Sequence, residues 1–206
     1  RQMCIRDSSG RRQPAPPFDP MPAETCVENL RREFARLRAQ ADAALAQCTD
    51  AQFFATPGAG DNSLAVIVKH VAGNLTSRWT DFLTSDGEKP GRNRDDEFDL
   101  RPEDTRARLE EDWHHGWAVL SATFATLTDD DLPRVVRIRG EPLTVLQAAH
   151  RQLAHYAGHV GQIVYVAKHH CGPGWKTLSI PRGGSAQFNR RPSAYVTPPP
   201  GEAGRG

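Results

Sequence analysis

Three histidines carry the most specific chemistry in this sequence. His155 and His159 stand in HRQLAHYAGHVGQ, residues 150–162. On a helix, side chains four residues apart share a face, with Cβ atoms roughly 5–6 Å apart. Two imidazoles so placed can turn toward one ion, because zinc-type ions hold imidazole nitrogens at about 2.0–2.1 Å. His70, in KHVAGN, is the candidate third ligand. Three neutral imidazoles leave at least one coordination position for water or substrate, the arrangement of a catalytic rather than a closed structural site. On periodicity alone His70 reads equally well as a core-edge histidine satisfied by a hydrogen-bond partner.

The neighbours of these histidines are polar. Asn74 lies one turn from His70, and Gln152 and Gln162 flank the pair; such amides can fix a ring or a bound water. Arg78 and Arg151 fall close to the same edges and can hold an anionic group, although an exposed arginine is the commoner case. His114 and His115 lie off the apolar stripe of their segment and are expected at the surface. The sequence has no Gly-rich phosphate loop, no GxSxG elbow and no HExxH pair, so phosphate-cradling and serine-hydrolase chemistries have no support.

Four amphipathic helices must position these residues. The first has Val27, Leu30, Phe34, Leu37, Ala41, Ala44, Leu45 and Cys48 inward, and Thr49 or Asp50 caps a short turn through Phe53 and Phe54. The second, opened by Asp61, Asn62 or Ser63, runs to about Thr84. It carries an apolar stripe of Leu64, Val68, Val71, Leu75, Trp79 and Phe82 beside an edge of Ser63, Ile67, His70, Asn74, Ser77 and Asp81. The third, started by Pro102 and Glu103, turns Leu109, Trp113, Gly116, Leu120, Phe124 and Leu127 inward. RVVRIRGEPLT then alternates as a short hairpin pivoting near Gly140-Glu141. The fourth, capped by Thr144 and stopped by Gly172-Pro173-Gly174, carries Val145, Ala149, Leu153, Tyr156, Val160, Ile163 and Ala167 beside Ala148, Gln152, His155, His159, Gln162 and Val166.

These stripes predict an all-α four-helix bundle over residues 21–170, with a short hairpin before the last helix. The second and fourth helices each place histidine on a polar edge, and those edges bring His70, His155 and His159 together if they face one another. Residues 85–101, SDGEKPGRNRDDEFDLR, are long for a connection inside a compact domain and are either a functional cover or a solvated charged loop. Residues 171–206 form an irregular tail in which Trp175, Leu178, Ile180 and Phe188 lean on the bundle before the end frays. Residues 1–20, rich in Pro and Arg, are expected to be disordered. The opening MCIRDS looks like a translated library adapter, so part of this leader is expected not to be natural protein, with Met21 a candidate start.

At 206 residues the chain can bury one substantial core. Lys plus Arg number 26 against 25 Asp plus Glu, so no general basic field attracts nucleic acid or an anionic membrane. There is no apolar run of membrane-spanning length and no signal-peptide core, which predicts a cytoplasmic protein. Cys4, Cys26, Cys48 and Cys171 form no CxxC pair. Cys26 and Cys48 are expected on one helix, roughly 33 Å apart, and the thiols are read as reduced.

HVAGNLTSRWTDFLTSDGEKPGRNRDDEF (70–98), RQLAHYAGHVGQIVYVAKH (151–169) and WKTLSIPRGGS (175–185) resemble a DinB-like family of unknown function in the DinB/YfiT-like metalloenzyme superfamily. The likeness covers roughly residues 24–188. It implies a four-helix bundle and a divalent metal on three histidines, and the motif positions map onto His70, His155 and His159. Pro90-Gly91 departs from the bulkier residue expected after the GEK segment. The superfamily includes thiol S-transferases and a thiol-dependent isomerase. The resemblance therefore implies a divalent ion (Zn, Ni, Mn or Fe), a low-molecular-weight thiol as a further cofactor, and a small-molecule substrate. A metal-dependent hydrolase and a non-catalytic metal- or ligand-binding stress protein are the alternatives, and a homodimer is expected.

Overall fold

A hydroxyl side chain starts each of the five main helices. Thr25, Thr49, Ser63, Thr105 and Thr144 each accept a hydrogen bond from a backbone N–H of the first helical turn, opening α1 (Cys26–Leu45), α2 (Asp50–Phe54), α3 (Leu64–Trp79), α4 (Arg106–Thr126) and α5 (Val145–Cys171). Glu28, Gln52 and Gln147 return the bond to their cap residue's own N–H. The Asp129 carboxylate adds acceptors for the N–H groups of Cys26 and Val27, at 3.0 and 2.9 Å, placing negative charge at the positive end of α1.

The computed structural model describes residues 24–190 and, at the N-terminus, the backbone of two antiparallel strands, β1 (Cys4–Arg6) and β2 (Arg12–Pro14). The expected disorder of residues 1–20 otherwise falls outside the described residues, as does the fraying of residues 191–206. Helices α1, α3, α4 and α5 form the bundle, with α3 packed on α4 and α5, and α1 on α5. The predicted stripes are its core: every inward position named for the first three helices is buried, as are those of α5 except the half-buried Leu153. Phe34, Trp79, Phe124, Trp117 and Tyr156 meet ring to ring in the centre. There Trp79 Nε1 donates to Tyr156 Oη at 3.1 Å, and Tyr156 donates to Asn74 Oδ1 at 3.0 Å. No helix among the described residues is long and apolar enough to cross a membrane.

Several boundaries differ from expectation for local reasons. Helix α3 ends at Trp79 rather than Thr84: Thr80 turns extended, ψ 128°, and Asp81 follows with a left-handed backbone, φ 48°. Helix α4 begins at Arg106, since Asp104 is engaged by the backbone of Arg101 and the ammonium of Lys69 in a preceding turn. The hairpin β3 (Val135–Ile138) and β4 (Glu141–Thr144) pivots on Arg139-Gly140, one residue earlier than expected, with φ of 56° and 77°. That pair of left-handed residues matches the twist of the flanking strands. Cys48 lies beyond the end of α1, so it does not share a helix with Cys26. In the tail, Trp175 and Leu178 pack on the core, and a short helix α6 (Ser185–Arg190) follows that periodicity did not anticipate.

Helices α3 and α4 approach closely at Gly116, where an added Cβ would stand 2.8 Å from Leu75 Cβ and 3.1 Å from the Ala72 carbonyl oxygen. Neither neighbour is the free end of a flexible side chain. The Gly116→Ala variant is therefore expected to lose about 1–2 kcal/mol of stability, although alanine favours the helix by about 1 kcal/mol. Urea unfolding checks this, and an unchanged or higher midpoint contradicts it.

Candidate metal centre

Helix α3 presents His70, and α5 presents His155 and His159 one turn apart beside it. The ring of His70 stands 5.6 Å from that of His155 and 4.9 Å from that of His159, centroid to centroid. One nitrogen from each of the three imidazoles lies within 4.8 Å of the other two. His70 is buried, while His155 and His159 are half-buried. The structure thus brings together the three residues that periodicity and resemblance had paired.

Each ring is held by a different device. His70 Nδ1 lies 2.8 Å from Glu97 Oε2. Burial works to raise the Glu97 carboxyl, but hydrogen bonds from His70 and Arg92, with the charge of Arg92, outweigh it and hold it below the usual carboxylate range. An ionised Glu97 can only accept, so Nδ1 of His70 carries a proton and Nε2 is the nitrogen left to face an ion. His159 Nδ1 donates to Gln162 Oε1 at 2.8 Å, which frees its Nε2 likewise. The Nε2 atoms of His155 and His159 then stand 3.1 Å apart. Two imidazoles on one ion at about 2.0–2.1 Å place their nitrogens roughly 3.0–3.4 Å apart, so this spacing suits a shared cation.

His155 is the unfinished member. Its Nδ1 and the Oε1 of Gln152 are both buried without a hydrogen-bond partner among the described residues. Ligation through Nε2 puts the His155 proton on Nδ1, making these two a donor and an acceptor three residues apart on one helix, within reach of a bridging water. Desolvation first, then the neighbouring charges of His159, His70 and Arg78, lowers the His155 pKa to about 4. His159 is lowered too, by desolvation, with the Gln162 bond opposing. Both rings are therefore neutral near pH 7, the state a metal ligand needs.

The long charged segment after α3 is a cover, not a solvated loop. Asp86 accepts from the backbone N–H groups of Glu88, Arg139 and Gly140, which clamps it to the hairpin. Arg92 grips both oxygens of Glu97, Nε to Oε1 at 2.7 Å and a terminal nitrogen to Oε2 at 2.8 Å, and also reaches Glu88 at 3.1 Å. Phe98 lies over the His70 ring, with centroids 4.9 Å apart. The stretch from Arg92 to Glu97 is expected from the sequence to close the site, but helical periodicity is silent in a loop and does not point to either residue as a partner of His70. The one sequence signal was the loop's length and its density of acids.

The remaining candidates separate. Arg78 is buried, with its Nε and one terminal nitrogen unpartnered among the described residues and the other terminal nitrogen 3.4 Å from Glu88. Arg151 stands at the surface, 3.7 Å from Glu141. Asn74 is bonded into the aromatic core rather than to a histidine ring, and Gln162, though exposed, is the residue that orients His159. His114 and His115 are exposed, as expected.

A family model described as "Protein of unknown function (DUF1572)" matches residues 22–184. The chain belongs to this family. Among solved structures it is similar to the "conserved protein of locus from Enterococcus faecalis", at 17% identity and a TM-score of 0.54, covering 73% of this chain and 99% of that one. At that identity the likeness bears on the fold alone. No curated protein matches the chain. Membership of DUF1572 agrees with the resemblance to a family of unknown function and leaves the chemistry to be argued from the site.

Replacing Glu97 by Gln keeps the shape but leaves Arg92 without its buried counter-charge and weakens the hold on His70. Divalent-metal affinity is expected to fall about 10–100-fold, measured by competition with a chromophoric chelator; undiminished affinity would show that Glu97 does not orient the ligand. The neutral His155 also predicts a pH dependence. Its unfolded state binds a proton near 6.5 and its folded state only near 4, so stability falls as pH drops through that window. In metal-free protein the melting temperature should decline across it, and less steeply in His155→Asn; parallel declines contradict the assignment.

Proposed function

We propose that the protein is a metal-dependent enzyme of the DinB-like superfamily, a transferase that adds a low-molecular-weight thiol to a small electrophile. The observation that carries this reading is the convergence of His70, His155 and His159 with one nitrogen each within 4.8 Å, together with Glu97 and Gln162 fixing two of the rings from outside. His70, His155 and His159 would hold the ion, and nitrogen-rich ligation suits Zn, Ni, Fe or Mn. A bound divalent ion supplies Lewis acidity, lowering the pKa of a thiol or water beside it.

The chain's own groups complete the site. With Nε2 given to the ion and the proton on Nδ1, His155 and His159 would have no lone pair left for the proton that a thiol releases. Arg78, with two guanidinium nitrogens unpartnered among the described residues, is the group that would hold a carboxylate of the thiol or the electrophile. Its burial makes that charge worth more than the surface charge of Arg151. Phe98 and the loop around Arg92 and Glu97 keep water from the His70 side.

Metal analysis of protein purified without a histidine tag tests the first half, with stoichiometric divalent metal expected in the wild type and little in His155→Ala. Absence of metal from both would remove the reading. Thiol consumption with a panel of electrophiles tests the second half. Metal-loaded protein should consume thiol, and Arg78→Met should raise KM for carboxylate-bearing thiols by about 10-fold or more with a smaller change in kcat. Ester or amide hydrolysis without thiol consumption would replace transfer by hydrolysis, and neither activity would leave a binding protein.

A further inference from the structure

At the C-terminal end of α5, two thiols from distant parts of the chain touch. Cys48 Sγ and Cys171 Sγ are 3.7 Å apart across 123 residues of sequence. Cys48 sits in the turn after α1 and is buried at 6% exposure, whereas Cys171, the last residue of α5, is half-buried. Both belong to segments that are already pinned together. Gln47 exchanges two hydrogen bonds with the backbone of Lys176, Gln52 donates to the His170 carbonyl at 2.8 Å, and a His170 ring nitrogen meets the Ala55 carbonyl at 3.1 Å. Arg106 holds the Cys48 and Leu45 carbonyls from α4. Thiols held in contact by this many independent bonds have little conformational entropy left to lose on joining.

We propose that Cys48 and Cys171 are a redox-active pair, which a low-molecular-weight disulfide converts into an intramolecular disulfide that staples the end of α1 to the end of α5. Cys171, the more accessible thiol, enters first. Its thiolate attacks one sulfur of the small disulfide, forms a mixed disulfide and releases one small thiolate. Cys48 then gives up its proton and attacks Cys171 Sγ, displacing the second small thiolate. Two protein S–H bonds are lost, one S–S bond forms, and the small disulfide is reduced to two thiols. The sulfurs must close from 3.7 Å to about 2.05 Å, and only two residues, Ala46 and Gln47, separate α1 from Cys48. Burial, with the neighbouring Cys171 thiol, pushes the Cys48 thiol up to about 12, so Cys171 is the entering nucleophile and resolution by Cys48 is the slower step.

This staple is independent of the metal reading. Cys171 follows His155 by 16 residues of one helix, about 24 Å of rise. Full-length protein, stripped of metal with a chelator, is treated with excess oxidised glutathione, alkylated under acid and mapped by mass spectrometry. The expected product is a Cys48 peptide cross-linked to a Cys171 peptide, two hydrogen atoms lighter than the reduced pair and reversed by dithiothreitol, whatever occurs at Cys4 and Cys26. Its melting temperature should rise by about 5–10 °C, since the bond closes a long loop. Cys48→Ser should instead retain glutathione on Cys171. A wild type that keeps both thiols, or holds the Cys171 adduct unresolved, overturns the proposal; so does a cross-link that leaves the melting temperature unmoved. If the serine variant does not fold, the wild-type peptide map decides alone.

Discussion

The site depends on one buried hydrogen bond, between the Glu97 carboxylate and His70. A carboxylate taken out of water costs several kcal/mol unless its lone pairs are met by charge or donors. Here Arg92 meets both oxygens, and the imidazole takes one of them as well. Arg92 in turn reaches Glu88, which also contacts Arg78 and Arg139, so alternating charges run from the hairpin surface to the first imidazole. Removing Arg92 or Glu97 leaves the other a buried charge without its main partner, and such networks are coupled rather than additive. The tautomer of His70 is thereby set by a loop that contributes nothing to the bundle's apolar core.

Much of the architecture was legible because a helix repeats. Stripes such as Leu64, Val68, Val71, Leu75 and Trp79 gave the buried faces, and the polar edge beside them placed His70 opposite His155 and His159. Hydroxyl caps at Ser63 and Thr144 marked the helix starts for the same local reason. Contacts made across the fold by irregular backbone left no such trace. Glu97 lies 27 residues from its histidine, in a segment whose acids all look alike in sequence. Arg78 and Arg151 were equivalent on paper, and only the packing of the cover and hairpin over one of them made the difference.

The polar centre of the bundle shows how the same residue types serve two ends. Trp79, Tyr156 and Asn74 form a closed donor–acceptor chain inside the aromatic core, where an unpaired Tyr hydroxyl would cost about 1–3 kcal/mol. Asn74 is consequently spent on the fold. Gln152, one turn along the facing helix from Tyr156, and His155 have no such closure among the described residues. Satisfied and unsatisfied polar groups therefore lie side by side across α3 and α5. The boundary between them divides the polar groups that the fold itself satisfies from those it leaves open among the described residues.

Two glycines on this side of the molecule matter for what they lack. A Cβ on Gly73 would overlap the Glu97 carboxylate, and one on Gly87 would come within 2.8 Å of an Arg78 guanidinium nitrogen. Each leaves a notch in the backbone surface into which a charged side chain is set, one on the helix that carries His70 and one in the cover. Part of the information that specifies the site is thus written as vacancy. A drift from glycine to alanine at either place, conservative by hydropathy or helix preference, would erase it while leaving every charged residue and every histidine of the site in place.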